Sequence, residues 1–221
     1  MRDRCLIVGV GGASGSGKST LCRALRDRLG FASCAIIEMD RYYRDLRNLP
    51  PEERDRTDFD APEALEMGLL VEHLGRLAAG HDVRLPTYDF ATHTRIGAGT
   101  HLAPAPVVLV EGIFCLVSDQ LRRQLDWSVF VMAPDETCLE RRLARDVIAR
   151  GRTAEQVREQ YIQQVRPAAE RIVLPSARHA RRVLSGTRSL DELCGMVLDD
   201  LGALTAGARV LDCGSRQLSA T

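Results

Sequence analysis

The chain has 221 residues, 45% of them hydrophobic and 27% charged, the balance of an ordinary soluble globule with room for one sizeable core. Thirty basic side chains offset thirty acidic ones, which sets aside duplex nucleic acid and anionic membranes, partners that call for a basic excess. No apolar run approaches the ~20 residues of a bilayer span, and the seven scattered cysteines form no C-x-x-C pair, so a reducing, cytoplasmic setting is expected rather than a disulfide framework or zinc knuckle.

Short apolar runs alternate with helix-period stretches, which predicts a parallel sheet covered by helices. Cys5–Val10 reads as the first strand. Leu21, Leu25 and Leu29 recur every four residues, and Gly30 supplies the stop. Cys34–Met39 reads as a second strand. Pro62 then opens a helix carrying Leu65, Leu69, Leu70, Leu74 and Leu77, with Gly80 at its end. Between His81 and Ala105, turn residues alternate with Val83, Leu85 and Tyr88, a β-hairpin excursion beside the sheet. Val107–Val110 and Val129–Val131 are β-branched, buried strands. Leu139, Leu143 and Val147 form the next helical stripe, and Thr153 with Gln156 caps a helix through Val157, Tyr161 and Val165. Val183-Leu184 reads as a last strand, and Ser189 with Glu192 caps a helix through Leu193, Val197, Leu201 and Leu204. The expected organisation is one domain over 1–204, with the hairpin at about 81–105 and a lid at about 141–165, then a small, polar, loosely held tail at 205–221.

The strongest signal is Gly12-Ala13-Ser14-Gly15-Ser16-Gly17-Lys18-Ser19, which satisfies G-x-x-x-x-G-K-[ST] between a strand and a helix, with Thr20 next in line. Glycines let backbone N–H groups curl around phosphates, and the helix N-terminus adds partial positive charge. Lys18 can reach the β- and γ-phosphates, and the Ser19 hydroxyl can ligate Mg²⁺.

A phosphate cradle leaves the fate of the phosphate open, so the carboxylates must decide it. Glu111 follows Val107–Val110 at the C-terminal end of a strand, where a magnesium-directing acid would face the cradle. Asp40 closes the second strand, and parallel topology brings it to the same edge. There it can accept the proton of an incoming hydroxyl. Glu38, deeper in the strand, and Asp45, in the following loop, compete for that role. Arg141, Arg142, Arg145, Arg150 and Arg152 crowd into twelve residues. Planar guanidinium groups suit phosphate oxygens, and Gly151 interrupts the run as a moving lid requires.

With these residues in hand the chain resembles the uridine kinases (uridine–cytidine kinases) of the P-loop kinase superfamily. The shared motifs run in order from Gly9 to about Pro175. After the glycine loop come Asp-Arg-Tyr-Tyr-Arg-Asp at 40–45, Asp-Phe-Asp-Ala-Pro-Glu-Ala at 58–64 and Pro-Thr-Tyr-Asp-Phe-Ala-Thr-His-Thr-Arg at 86–95. Glu-Gly-Ile at 111–113, Arg-Arg-Leu-Ala-Arg-Asp at 141–146, Arg-Gly-Arg at 150–152 and Gln-Tyr-Ile at 160–162 complete the series. The resemblance implies a three-layer α/β P-loop NTPase fold with a mostly parallel sheet, the hairpin and an arginine-bearing lid. It implies Asp40 as the base for a ribose 5′-hydroxyl, touching Mg²⁺, with Ser19 and Glu111 holding the metal. Asp60, helped by Arg142, would bind the ribose 2′- and 3′-hydroxyls. Phe59 and Tyr43 would pack near the nucleoside, and Tyr88 and His93 would read the pyrimidine edge. Arg152 and Gln160 would line the same pocket, while Arg145 and Arg150 neutralise the transferring phosphate. Ala61 stands where the family usually has histidine, which alters the wall of the ribose site.

The implied activity is transfer of the γ-phosphate of ATP or GTP, with Mg²⁺, to uridine or cytidine, giving UMP or CMP for pyrimidine salvage. A homotetramer or homodimer is implied with it. Three other readings stay open at this stage. One is a phosphoribulokinase-type enzyme acting on another alcohol, the second is a nucleotide-dependent ATPase or switch that binds a protein partner, and the third is a non-catalytic nucleotide-binding module in which Asp40 and Glu111 would be idle.

Overall fold

The computed structural model describes residues 5–54 and 56–215, with the backbone alone for Ala149, Arg150 and residues 205–215. Its strands, in chain order, are β1 (Leu6–Gly12), β2 (Cys34–Glu38), β3 (Val83–Leu85), β4 (Tyr88–Asp89), β5 (Thr94–Arg95), β6 (Thr100–Leu102), β7 (Val107–Glu111), β8 (Trp127–Met132) and β9 (Arg182–Ser185). The longer helices are α1 (Lys18–Leu29), α2 (Met67–Ala78), α3 (Asp135–Arg150), α4 (Ala154–Gln160) and α5 (Leu190–Ser215). Two compact units divide at Gly186 and Thr187, the larger holding every strand and the smaller holding α5.

In the larger unit five strands form one all-parallel sheet in the order β2-β7-β1-β8-β9, flanked by helices, an α/β P-loop fold. Parallel strands must be covered on both faces, which is why β7 opens with the continuous run Val-Val-Leu-Val rather than an alternating pattern. The register pairs Glu38 with Glu111 and Val10 with Glu111, so β2 and β7 end level at one edge. One face buries Ile7, Ile37, Val108 and Val110 against Leu70, Leu74 and Leu77 of α2. Each fully buried leucine is worth about 1.5–3 kcal/mol, enough for three of them to hold that helix on the sheet.

The 81–105 excursion consists of two short antiparallel ladders, β3 with β6 and β4 with β5. The Thr153 capping box is present, its hydroxyl accepting from the Gln156 N–H at 3.2 Å while the Gln156 side chain accepts from the Thr153 N–H at 2.9 Å. Beyond α4 the chain stays helical but widens over Tyr161–Val165 and Ala169–Val173. Pro167 lies between these stretches; it has no N–H to give to the preceding turn, and its ring crowds that turn, which favours such widening.

The strands β1, β2, β8 and β9 differ from expectation by one or two residues at their ends, and three further boundaries differ as well. Pro62 begins only a single 3₁₀ turn, Pro62–Ala64, and α2 starts at Met67. Leu65 is drawn out of the helix into an extended bridge with Tyr43, with the Glu66 N–H donating to the Tyr42 carbonyl at 2.8 Å. Glu111 is the last residue of β7 rather than the one after it. In the smaller unit, Ser189 and Glu192 cap α5 through a 2.8 Å side-chain bond, and that helix continues past Leu204 to Ser215.

Candidate active site

β1 passes directly into the glycine loop, where Gly12, Gly15 and Gly17 hold φ of 149°, 83° and 103°. At Gly15 the requirement is also steric. An added Cβ would fall on the carbonyl of Cys138 in α3, so glycine alone lets the loop tuck beneath that helix. Ala13 packs with Cys138, Tyr161 and Val165. Ser16 is fully buried, and its N–H donates to the Ala13 carbonyl at 3.1 Å. Arg141 staples the loop to the sheet edge by donating to the carbonyls of Ser16 (3.2 Å) and Gly186 (3.0 Å). Lys18 and Ser19 open α1, Lys18 almost buried and Thr20 exposed beside them.

Glu111 is 7% exposed and accepts a 2.7 Å hydrogen bond from the Ser19 hydroxyl. Burial pushes its carboxyl above the usual carboxylate range; Lys18 and the Ser19 bond pull it back, and Asp40 and Glu38 add repulsion. This part-buried pair of hard oxygens, with acidic neighbours, has the donor chemistry of a Mg²⁺ site. Asp40 sits in the 3₁₀ turn Met39–Tyr42 just beyond β2 and lines one cavity with Ser14, Lys18, Ser19 and Glu111. Of the competing acids, Glu38 pairs with Arg41 at 3.3 Å and Asp45 with Arg47 at 2.6 Å. Next to Glu111, Gly112 abuts Met39, where an added Cβ would stand 2.7 Å from the methionine Cβ and Sδ.

That cavity has a volume of about 120 Å³ and is also lined by Tyr43, Phe59, Asp60, Tyr88 and His93. Arg142, Arg145, Arg152 and Gln160 complete its other side. A second cavity of about 510 Å³ shares Phe59, Asp60, His93, Arg152 and Gln160 with it, so the two make one cleft. His93 stacks on Phe59 with centroids 4.4 Å apart and planes at 21°. Tyr43 meets Phe59 edge-on at 5.3 Å, and its hydroxyl donates to the Phe59 carbonyl at 3.1 Å. The Tyr88 hydroxyl is buried without a protein hydrogen-bond partner. Burial pushes the Tyr88 phenol up to about 12, so it is a neutral donor near pH 7.

Arg95 seats the hairpin that carries Tyr88 and His93. Its guanidinium donates to the carbonyls of Tyr43 (3.0 Å) and Tyr42 (3.1 Å) and to Glu66 (2.8 Å). The Leu46 N–H donates to the His93 carbonyl at 3.2 Å, holding that residue in a left-handed turn at φ 54°.

Among the arginines of α3 and the turn after it, Arg142 is 6% exposed and donates to Ser14 Oγ (3.0 Å) and to Gln160 Oε1 (2.9 Å). Arg152 donates to the same Gln160 oxygen at 2.6 Å. Arg145 donates to Asp146 at 2.7 Å. Arg150 ends α3 in the backbone, with its side chain outside the described residues. Gly151 then caps the helix in the left-handed region.

Phe90 and Ile113 also line the first cavity and were not singled out from sequence. Each stands in the turn just past a strand end and within a quoted motif, 86–95 and 111–113, but neither was assigned a role there.

A model of the phosphoribulokinase / uridine kinase family matches residues 7–189. A uridine kinase of Chloroflexus aggregans is 45% identical over 186 residues, 84% of this chain and 89% of that protein. A uridine kinase of Proteus mirabilis is 42% identical over 181 residues, 80% of this chain and 85% of that protein. Among solved structures, a D-glycerate 3-kinase of Cryptococcus neoformans superposes with a TM-score of 0.62 at 18% identity, covering 84% of this chain and 88% of that one.

Proposed function

Because the chain belongs to the phosphoribulokinase / uridine kinase family, we propose that it is a nucleoside kinase moving the γ-phosphate of ATP or GTP to the 5′-hydroxyl of uridine or cytidine. The observation that carries the reading is a single cavity lined by Asp40, Lys18, Ser19 and Glu111 together with Asp60, Tyr88 and His93. The first group suits a nucleotide triphosphate. The second suits a sugar bearing a heterocyclic base, since a phenol and an imidazole can satisfy the donors and acceptors of a pyrimidine edge. A sugar phosphate presents no such edge.

In the transfer, Asp40 accepts the proton of the 5′-hydroxyl as that oxygen bonds to the γ-phosphorus. The bond from phosphorus to the β–γ bridging oxygen breaks, and the nucleoside diphosphate leaves with its electron pair, yielding UMP or CMP. Lys18, Arg145 and Arg150 neutralise charge on the phosphoryl oxygens, and the backbone N–H groups of residues 12–20 hold the donor phosphates. Asp60 and Arg142 bind the ribose diol. Phe59 and Tyr43 pack against the nucleoside, Tyr88 and His93 select its base, and Arg152 and Gln160 close the pocket. Ser19 and Glu111, with Asp40 beside them, would hold Mg²⁺, which when bound supplies positive charge to the β- and γ-phosphate oxygens.

The kinase domain on this reading is 1–204, with the hairpin and the lid as its moving acceptor wall. The enzyme works in the cytoplasm, in keeping with buried, unbridged thiols at Cys5, Cys22, Cys34, Cys115, Cys138 and Cys194, and as a homodimer or homotetramer. No helix among the described residues is long and apolar enough to cross a membrane.

The test is a coupled assay of ADP release with ATP and uridine, cytidine, ribulose 5-phosphate or no acceptor. Turnover with uridine or cytidine far above the acceptor-free rate is expected. A preference for ribulose 5-phosphate, or hydrolysis that ignores the acceptor, would overturn the reading.

A further inference from the structure

We propose that Asp146 is the positioning residue of the lid, a buried carboxylate that sets the guanidinium groups of Arg142, Arg145 and Arg152 around the path of the phosphoryl group. The proposal rests on the phosphotransfer reading and adds to it a residue whose carboxylate is met by arginines from before and after Gly151. Asp146 is fully buried near the C-terminal end of α3, where a lone carboxylate would be strongly unfavourable. It survives there because three cations surround it. Arg145 Nε donates to Oδ1 at 2.7 Å, while Arg142 Nε and Arg152 Nη1 stand 3.5 and 3.6 Å from Oδ2. Its backbone carbonyl also accepts from the N–H groups of Gly151 and Arg152, so the residue is tied to the turn between α3 and α4.

The arginines it gathers point in functionally different directions. Arg142 reaches the donor loop at Ser14, Arg142 and Arg152 share Gln160, and Arg145, with 43% of its side chain exposed, lines the cavity beside Asp40. Three like charges would otherwise repel one another out of this arrangement. With Asp146 present, the cost of assembling them is met in the resting protein and not at the moment of transfer, the preorganisation that electrostatic catalysis requires.

The experiment compares Asp146→Asn, Arg145→Lys, Arg145→Gln and the double variant Asp146→Asn/Arg145→Lys with the wild type in steady-state uridine phosphorylation, alongside ATP titration without acceptor. Asp146→Asn is expected to lower kcat about 10–100-fold while the Kd for ATP changes less than about threefold. The double variant should lose no more than about threefold beyond the worse single one, because both changes unseat the same guanidinium. A folded Asp146→Asn variant with wild-type kcat, or single losses that simply multiply, would overturn the proposal. Should Asp146→Asn fail to fold, the surface variants decide. Lysine keeps the charge at position 145 but has no Nε–H to seat on Asp146, so Arg145→Lys is expected to lose nearly as much kcat as Arg145→Gln. Near-full activity of Arg145→Lys would show that charge without seating suffices. If the wild type itself does not phosphorylate uridine or cytidine, the phosphotransfer reading fails; an active wild type with unaffected variants refutes the role of Asp146 alone.

Discussion

Replacing Arg95 with methionine would remove the guanidinium that seats the hairpin while keeping most of its apolar stem. Three bonds go at once: those to the Tyr42 and Tyr43 carbonyls and the ion pair with Glu66. Hydrogen bonds to charged groups are worth about 1.5–3 kcal/mol each. The Glu66 pair is discounted to about 1 kcal/mol or less, because its side chain is 34% exposed and solvent screens it. The three share one side chain and do not add, so the net loss is about 2–4 kcal/mol. In a domain of this size that is a drop in Tm of roughly 5–15 °C, readable by thermal unfolding. On the proposed reading the hairpin also presents Tyr88 and His93 to the acceptor, so the uridine KM should rise about tenfold, equivalent to about 1.4 kcal/mol of lost preorganisation, with the ATP KM within about twofold. A variant with unchanged Tm and unchanged uridine KM would refute the reasoning. Equal rises in both KM values would show that the hairpin does not act on the acceptor alone.

Asp40→Asn should keep ATP affinity by calorimetry yet lose about 10²–10⁴-fold in kcat, the usual worth of a general base, and near-normal turnover would remove Asp40 from that role. Gly15→Ala combines a left-handed φ, costing about 1–2 kcal/mol, with a clash against the Cys138 carbonyl; weakened ATP binding and a lower Tm are expected, and neither moving would mean the loop has slack. The His73 ring is buried and bonded to the Tyr42 hydroxyl at 2.9 Å. Burial, then the charges of Arg76 and Arg95, hold it below the ordinary histidine value against the opposing pull of Glu72. Its stabilising contribution is therefore fully present above about pH 6.5 and is lost as the pH falls toward and through the lowered value. Urea unfolding between pH 7.5 and 5 should show a shallower decline for His73→Gln than for the wild type, and parallel curves would contradict the assignment.

Much of the sheet was legible because its central strands are buried on both faces and read as apolar runs, as in Val107–Val110. The glycine loop was legible because phosphate geometry demands its residue types. Leu65 was misread because its spacing matches a helix, whereas the bridge to Tyr43 is a long-range contact that no local pattern records. Asp146 and Arg95 are a different case. A charged residue is ordinarily a surface residue, and nothing nearby in the chain marks Asp146 as wholly enclosed or Arg95 as the support of a turn two strands away. Such roles arise from which partners the fold delivers, and only the assembled structure reveals them.

The contact between Gly112 and Met39 has a consequence for how this site can be tuned. The two strand tips that bear Glu111 and lead into Asp40 behave as jaws whose gap is set by a missing carbon. A methyl group there would press on Met39, the residue before Asp40, and so bear on the tips that carry Asp40 and Glu111 in one motion. Charge can be edited at positions 40 and 111 one at a time, but spacing is governed from position 112 and reaches both together.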